Sequence, residues 1–388
     1  METLQKTIPT INPAISQNIT EEENNRRLST STLNALKEGG FLKLFLPESL
    51  GGLEVDPLTA AKLTEEVASH NTGAGWSMMV ANVSSWWCKW LPEKGAELVY
   101  KNEDTMLAGA LHPPMRATRT EGGFLISGRS PLASNVNESK WIFVTALIME
   151  GGQMKLNNGR PEAIGAVMDR NDIQIIDTWN TIGMKATDSN DVAAENVFVP
   201  DHMFYPLVPG REPNSYYTGP LYQYPAIGVS IASLIAPVAL AVARNAINEV
   251  KILADKKTPL ASAVPLKEKG AVQRKVGMAE ALVQSSRAYL FQTIEECWKK
   301  VLAGKTISLE DKAGLLLAAT HTNQSCFNAV DMMYSVAGTT GIYTSNKLAH
   351  YYTDAQVIRQ HGFANESRYE TVAQVYFGLQ PDLPVLVF

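Results

Sequence analysis

The sequence predicts an α+β chain, mostly α, in three blocks: an N-terminal helical domain (residues 1–104), a middle antiparallel β-barrel-like domain (105–212) and a C-terminal four-helix bundle (213–388). Three observations predict it. Residues 73–90, GAGWSMMVANVSSWWCKW, are apolar on nearly every face and read as an interior helix. From about 105 to 205 the pattern changes to short apolar runs, LAGAL, FLISG, WIFVTALIM, AIGAVMD, IQIID and ENVFVP, separated by turn residues. Beyond residue 265, Val272, Val276, Ala279, Val283, Leu290 and Ile294 recur as a seam of the kind that packs antiparallel helices. A β island between two helical blocks suggests a cleft.

Taken in order, the first dozen residues are polar with two prolines and read as a loose arm. Thr20 and Glu23 have capping-box spacing and start a helix that runs to about Lys37 and ends at Gly39 and Gly40. Residues 41–52 form an apolar turn segment, and 56–70 a second amphipathic helix carrying Leu58, Ala61, Leu63 and Val67. The interior helix follows, and helix resumes over 91–100 after Pro92. In the β block, Gly122–Gly123 and Gly151–Gly152 mark hairpins. A Pro-rich link, 206–220, leads to helices over 265–302, 311–337 and 346–377, with a break at AGTTG, 337–341. The 265–302 helix would be roughly 55 Å long at 1.5 Å per residue, and a stripe of that length points to oligomerisation.

Composition narrows the function. The net charge of −5 comes with no basic stripe, which argues against nucleic acid as a partner. Cys88, Cys297 and Cys326 are far apart and lack CxxC spacing, which fits reduced thiols in a cytoplasmic protein. The most apolar stretch, 226–243, is interrupted by Ser230, Ser233 and Pro237 and reads as a buried bundle helix rather than a membrane span. His70, His202 and His321 carry no motif, and no metal site is expected.

Four segments carry a family resemblance: GGFLISGRSPLASN (122–135), IGMKATDSNDVAAENVFVP (182–200), SVAGTTGIYTSNKL (335–348) and HYYTDAQVIRQH (350–361). Their order and spacing resemble the acyl-CoA dehydrogenase superfamily over residues 20–382. Within it the chain is most similar to the two-component flavin-dependent monooxygenases, through GAGW at 73–76, GRSPLASNVNESKW at 128–141 and a histidine near the C-terminus. The resemblance implies that dehydrogenases of the superfamily carry a catalytic Glu in either of two places in the bundle, most often in a Tyr-Glu-Gly-Thr-like motif after the Arg-Asp of the last helix. Here that stretch reads Arg359-Gln360-His361-Gly362-Phe363, and the nearest acid, Glu366, comes late. Desaturation needs a carboxylate at the α-proton, whereas oxygenation needs donors near the reactive edge of the flavin, a closed pocket and a proton-handling group.

The resemblance implies roles for particular residues. Ser134 lies where the family faces a hydroxyl to flavin N5, and His361 is the proton-handling candidate. Asn135 and Trp141 are implied flavin-pocket walls, although Trp141 serves equally as β-domain core, and His112 lies in a loop over the flavin ring, where it either meets the flavin or only holds the loop shut. Lys185, Thr187 and Ser189 suit the ribityl or phosphate oxygens, and Gly338 and Thr339 belong to a turn that approaches the cofactor from a neighbouring subunit. Trp76, Trp86 and Trp87 line a substrate pocket for a flat apolar molecule or pack as core. His350 is placed in that pocket too, where relatives tend to carry Arg. The arginine that grips the FAD pyrophosphate in dehydrogenases has only Lys267, Lys269 or Arg274 as stand-ins, so FMN or FAD supplied reduced by a flavin reductase becomes plausible. The resulting expectation is a homo-oligomeric monooxygenase, tetramer or dimer, acting on a small aromatic or heterocyclic substrate. Two readings stand against it: an acyl-CoA dehydrogenase with a displaced base, and a flavin-free binding protein.

Overall fold

The computed structural model describes residues 2–101, 106–260 and 262–388. The boundary expected between 104 and 105 lies outside the described residues. Among the described residues six helices build the first block: α1 (Glu2–Ser16), α2 (Ile19–Asn25), α3 (Thr30–Glu38), α4 (Pro57–His70), α5 (Thr72–Trp87) and α6 (Glu93–Tyr100). The expected loose arm is the helix α1, because Ile8, Ile11 and Ile15 form a stripe that buries into the core despite Pro9 and Pro13. The single helix expected over 20–37 is two. Arg26 turns left-handed at φ 56° and ends α2, and Ser29, not Thr20, supplies a side-chain cap by accepting Thr32 N–H. Helix α5 is buried on almost every side, as its sequence predicts.

Among the described residues ten strands follow: β1 (Leu107–Thr120), β2 (Gly123–Ala133), β3 (Trp141–Glu150), β4 (Gln153–Met154), β5 (Leu156–Asn157), β6 (Arg160–Pro161), β7 (Ala163–Asp169), β8 (Gln174–Ile176), β9 (Asn190–Pro200) and β10 (Phe204–Pro206). The expected barrel is an open sheet in the order β10-β7-β3-β1-β2-β9-β8, with β4 paired to β3 and a separate β5–β6 hairpin. Nor is it purely antiparallel: β1 and β3 pair in parallel. The chain leaves β2 through residues 134–140, crosses to the far side of β1 and re-enters as β3, so this crossover both breaks the antiparallel order and carries Ser134 and Asn135.

The last block is the expected bundle: α7 (Ala236–Lys256), α8 (Gly270–Leu302), α9 (Leu309–Ala337) and α10 (Lys347–Ile358), with the short α11 (Arg368–Tyr376) on α9. The helix expected over 346–377 breaks at 359–367, where Asn365 Oδ1 accepts Ser367 N–H and hydroxyl. His361 therefore sits in a loop and not in a helix. A π-helical stretch (Gly228–Ile235) leads into α7, since Pro237 has no N–H to offer the Ser233 carbonyl. Gly228–Lys256 is long and apolar enough to cross a membrane by length and composition, but 89% of its apolar window is buried, as in a core helix. All three cysteines are free and buried.

Candidate active site

The site begins with strand register. Ala133 of β2 pairs with Asn190 of β9, so the residues one step beyond them meet: the Ser134 and Ser189 hydroxyls lie 2.7 Å apart. Ser189 is in turn 2.7 Å from the Thr187 hydroxyl, and Thr187 donates to the Met184 carbonyl at 2.9 Å. From α5, Trp76 Nε1–H donates to Ser134 Oγ at 3.2 Å. A carbonyl cannot donate, and each hydroxyl has one hydrogen. One direction satisfies all four contacts: Trp76 to Ser134, Ser134 to Ser189, Ser189 to Thr187, Thr187 to Met184. Ser134 thus spends its hydrogen inside the protein and keeps a lone pair as acceptor.

Asn135 locks the same turn. Its φ of 61° is left-handed, its N–H donates to the Thr187 carbonyl at 2.8 Å, and its side-chain Oδ1 accepts the Ser77 hydroxyl at 2.6 Å. Beside it Asp188 is also left-handed, at φ 49°, and its carboxylate takes Asn137 N–H and both the Asn137 and Asn190 amides. Burial nevertheless raises the Asp188 pKa.

His361 reaches this cluster through Trp76. The two rings are 5.5 Å apart edge to face, and Phe363 lies 5.5 Å from the imidazole on another side. Phe363 N–H donates to His361 Nδ1 at 3.2 Å, which assigns the ring proton to Nε2. Burial pushes the His361 pKa down to about 4, so the ring is neutral at physiological pH and offers a donor at Nε2.

Trp76, Ser134, Asn135, Thr187, Ser189 and His361 are therefore gathered in one place. The other candidates are not. Trp86 and Trp87 lie ten or more residues further along α5, about 15 Å away at 1.5 Å per residue. There they pack with Trp90, Tyr205 and Phe388 around the buried Lys89, whose Nζ is 3.6 Å from the Trp86 ring centroid and which burial pushes down to about 7. His112 is exposed in the β1 bulge between Ala110 and Met115. Gly338 and Thr339 are exposed at the far end of α9, on a turn held by Lys257, whose amine donates to the Ala337 carbonyl and the Thr340 hydroxyl. His350 has both ring nitrogens facing carboxylates, Glu23 at 2.7 Å and Asp354 at 3.4 Å, which leaves none for a substrate. Lys185 lines that same cluster, beside Glu23, His350 and Asp354. Glu366 is exposed, so no carboxylate takes the place of the dehydrogenase base there.

Sequence reasoning missed Ser77, Asn71, Glu22, Glu23 and Asp354. Only His350–Asp354 had a local signal, the i,i+4 spacing on a helix; the others act across long sequence separations. Asn71 caps α5 through Ala74 N–H and donates to the buried Glu22, which fixes the end of α5 that carries Trp76 and Ser77.

The residues gathered here fit a flavin. Asn135 Nδ2 is a buried donor without a protein partner, which suits a ring system rich in carbonyl and nitrogen acceptors, and Ser134 adds one acceptor; Trp141 Nε1, at the start of β3, is likewise buried and unpartnered. When bound, that cofactor supplies the redox chemistry and the activation of O2.

Comparison with known proteins agrees. Residues 10–91 match the acyl-CoA dehydrogenase N-terminal domain and 233–366 the acyl-CoA dehydrogenase C-terminal domain. The chain is 30% identical to indole-3-acetate monooxygenase of Pseudomonas putida over 93% of its own length and 90% of that protein. It is 25% identical to the flavin-dependent monooxygenase oxygenase subunit HsaA of Rhodococcus jostii, over 92% and 93%. Its fold matches XiaF from Streptomyces, solved with FADH2 and glycerol, at a TM-score of 0.89 and 20% identity over 98% and 96% of the two chains. With the hydroxyl chain and the neutral histidine, these likenesses converge: this chain belongs to the acyl-CoA dehydrogenase superfamily, in its branch of flavin-dependent monooxygenases.

Proposed function

We propose that this monooxygenase takes reduced flavin from a separate flavin reductase and inserts one oxygen atom from O2 into a small aromatic or heterocyclic substrate of indole type. The carrying observation is the one-way hydroxyl chain from Trp76 to Met184. It leaves Ser134 as an acceptor, which complements the N5–H of a reduced flavin and not the bare N5 of an oxidised one. His361 keeps a proton on Nε2 beside Trp76, and the Trp76 face suits a flat apolar substrate. The indole-type class is supported by the relative named for indole-3-acetate.

Anaerobic titration of the purified chain with FMNH2, FADH2, FMN and FAD tests this. Reduced flavin should bind about tenfold or more tightly, the equivalent of one hydrogen bond, and Ser189→Ala should narrow that preference by freeing the Ser134 hydrogen. With NADH, a flavin reductase and O2, indole-3-acetate or a related aromatic should gain one oxygen atom. Equal binding of both redox forms, or bleaching of bound FAD by an acyl-CoA without O2, would sink the proposal.

We also propose that the chain assembles as a dimer or tetramer in the cytoplasm. Helix α8 exposes Met278 and Tyr289, and Met278, Leu282 and Met332 line a groove against α9. A neighbouring copy docked there would carry its own Gly338–Thr339 turn toward the flavin of its partner.

A further inference from the structure

The loop that bears Thr187 and Ser189 is held from behind by a second cluster. Asp354 of α10 is 1% exposed, and its Oδ1 accepts Met184 N–H at 2.6 Å. Its Oδ2 lies 3.4 Å from His350 Nε2, and His350 Nδ1 lies 2.7 Å from Glu23 Oε1 on α2. His350 thus lies between two carboxylates at ion-pair distances, and their charge favours the imidazolium form. These groups place one ligand atom each within 4.8 Å of one another, with the imidazole between the two carboxylates.

Two further observations aim this cluster at the loop. A Cβ on Gly183 would come within 2.4 Å of the Thr353 carbonyl, so α10 and the loop touch backbone to backbone. Met184 is left-handed at φ 52°, and its carbonyl takes the Thr187 hydroxyl at 2.9 Å, Thr187 N–H at 3.2 Å and Trp179 Nε1–H at 3.0 Å. The Met184 peptide is thus gripped at its N–H by Asp354 and at its C=O by the end of the hydroxyl chain.

We infer that Glu23, His350 and Asp354 form a positioning relay, joining α2, α10 and the β domain, that sets the 183–189 loop and through it the acceptor direction of Ser134. The inference rests on the flavin reading of that loop. Burial alone would lower the His350 pKa, but Asp354 and then Glu23 outweigh it and raise it to about 9, with Lys185 opposing. Glu22 lines the same small cavity and Tyr351 packs on the ring, completing the titratable groups around it. The raised His350 pKa makes the imidazolium's contribution complete below the ordinary 6.5 and lost as pH rises through about 9, while burial, which raises the Asp354 pKa, sets the acid limit of the relay.

Anaerobic titration with FMNH2 and FADH2 between pH 6 and 10 decides it, on the full chain and on variants verified by circular dichroism and melting temperature. Wild-type affinity should fall as pH rises through about 9. Asp354→Asn keeps an acceptor for Met184 but loses the anion, so the fall should move down toward the ordinary histidine range. His350→Gln should weaken binding by about tenfold at pH 7.5, as expected for one lost charge-assisted hydrogen bond. His350→Arg, whose charge does not titrate there, should bind well and stay flat to pH 10. The relay is overturned if His350→Gln binds as wild type does, or if His350→Arg keeps the alkaline fall; this pair decides even where Asp354→Asn fails to fold. A wild-type chain that binds neither reduced flavin overturns the flavin reading itself.

Discussion

At the residue scale, His361 is governed by burial. Its Nδ1 is occupied by a backbone N–H and its ring is enclosed by Trp76 and Phe363, so the neutral Nε2–H form persists far below the usual histidine range. His361→Asn should lower kcat by roughly 10²- to 10⁴-fold, the size of a lost proton-handling group, while leaving the reduced-flavin Kd unchanged. A kcat within twofold of wild type would remove His361 from the chemistry. The pH dependence has a definite sign. A native pKa of about 4 against an ordinary 6.5 means that the unfolded chain takes up the proton first, so stability due to His361 is lost as pH falls from 6.5 toward 4. Urea midpoints should decline over that window in the wild type and less in His361→Asn. In the sequence His361 was legible as a candidate, but not its loop position, because the helical spacing of 346–377 continues past the break that Asn365 and Ser367 create.

At the element scale, the decisive contact is α10 against the 183–189 loop. Gly183→Ala would set a Cβ against backbone atoms of Thr353 and Asp354 that cannot rotate away. It should cost about 1–3 kcal/mol, as overpacking does, and weaken reduced-flavin binding as the loop shifts. Gly277→Ala is the control: nothing lies within 4 Å of its Cβ in the middle of α8, so it should stabilise by about 0.5–1 kcal/mol. Chemical denaturation of both variants checks the pair, and equal effects would refute the close-approach explanation. The strands were readable because alternation and turn residues are local, and both glycine hairpins form where the sequence puts them, with Thr120 opposite Gly123 and Glu150 opposite Gln153. The parallel β1–β3 pairing was not readable, since nothing within 134–140 states on which side of β1 the chain will return.

At the scale of the whole molecule, the exposed side of the bundle is the feature left over once the site is accounted for. Multi-angle light scattering should report a dimer or tetramer, and Met278→Asp with Met332→Asp should shift it toward monomer without unfolding the chain. An unchanged mass would move the interface elsewhere. The order of helical and β blocks and most strands were legible in the sequence alone, because periodicity and turn chemistry act over a few residues, whereas the helix α1 and the breaks at Arg26 and 359–367 were not. Tertiary structure alone decided which polar groups meet: Ser134 with Trp76 across 58 positions, Met184 with Asp354 across 170, His350 between two carboxylates instead of in a substrate pocket, and Trp86 and Trp87 in the core. The physical reason is that charge state and hydrogen-bond direction follow from partners and burial, and both are set by how α5, α10 and the sheet dock.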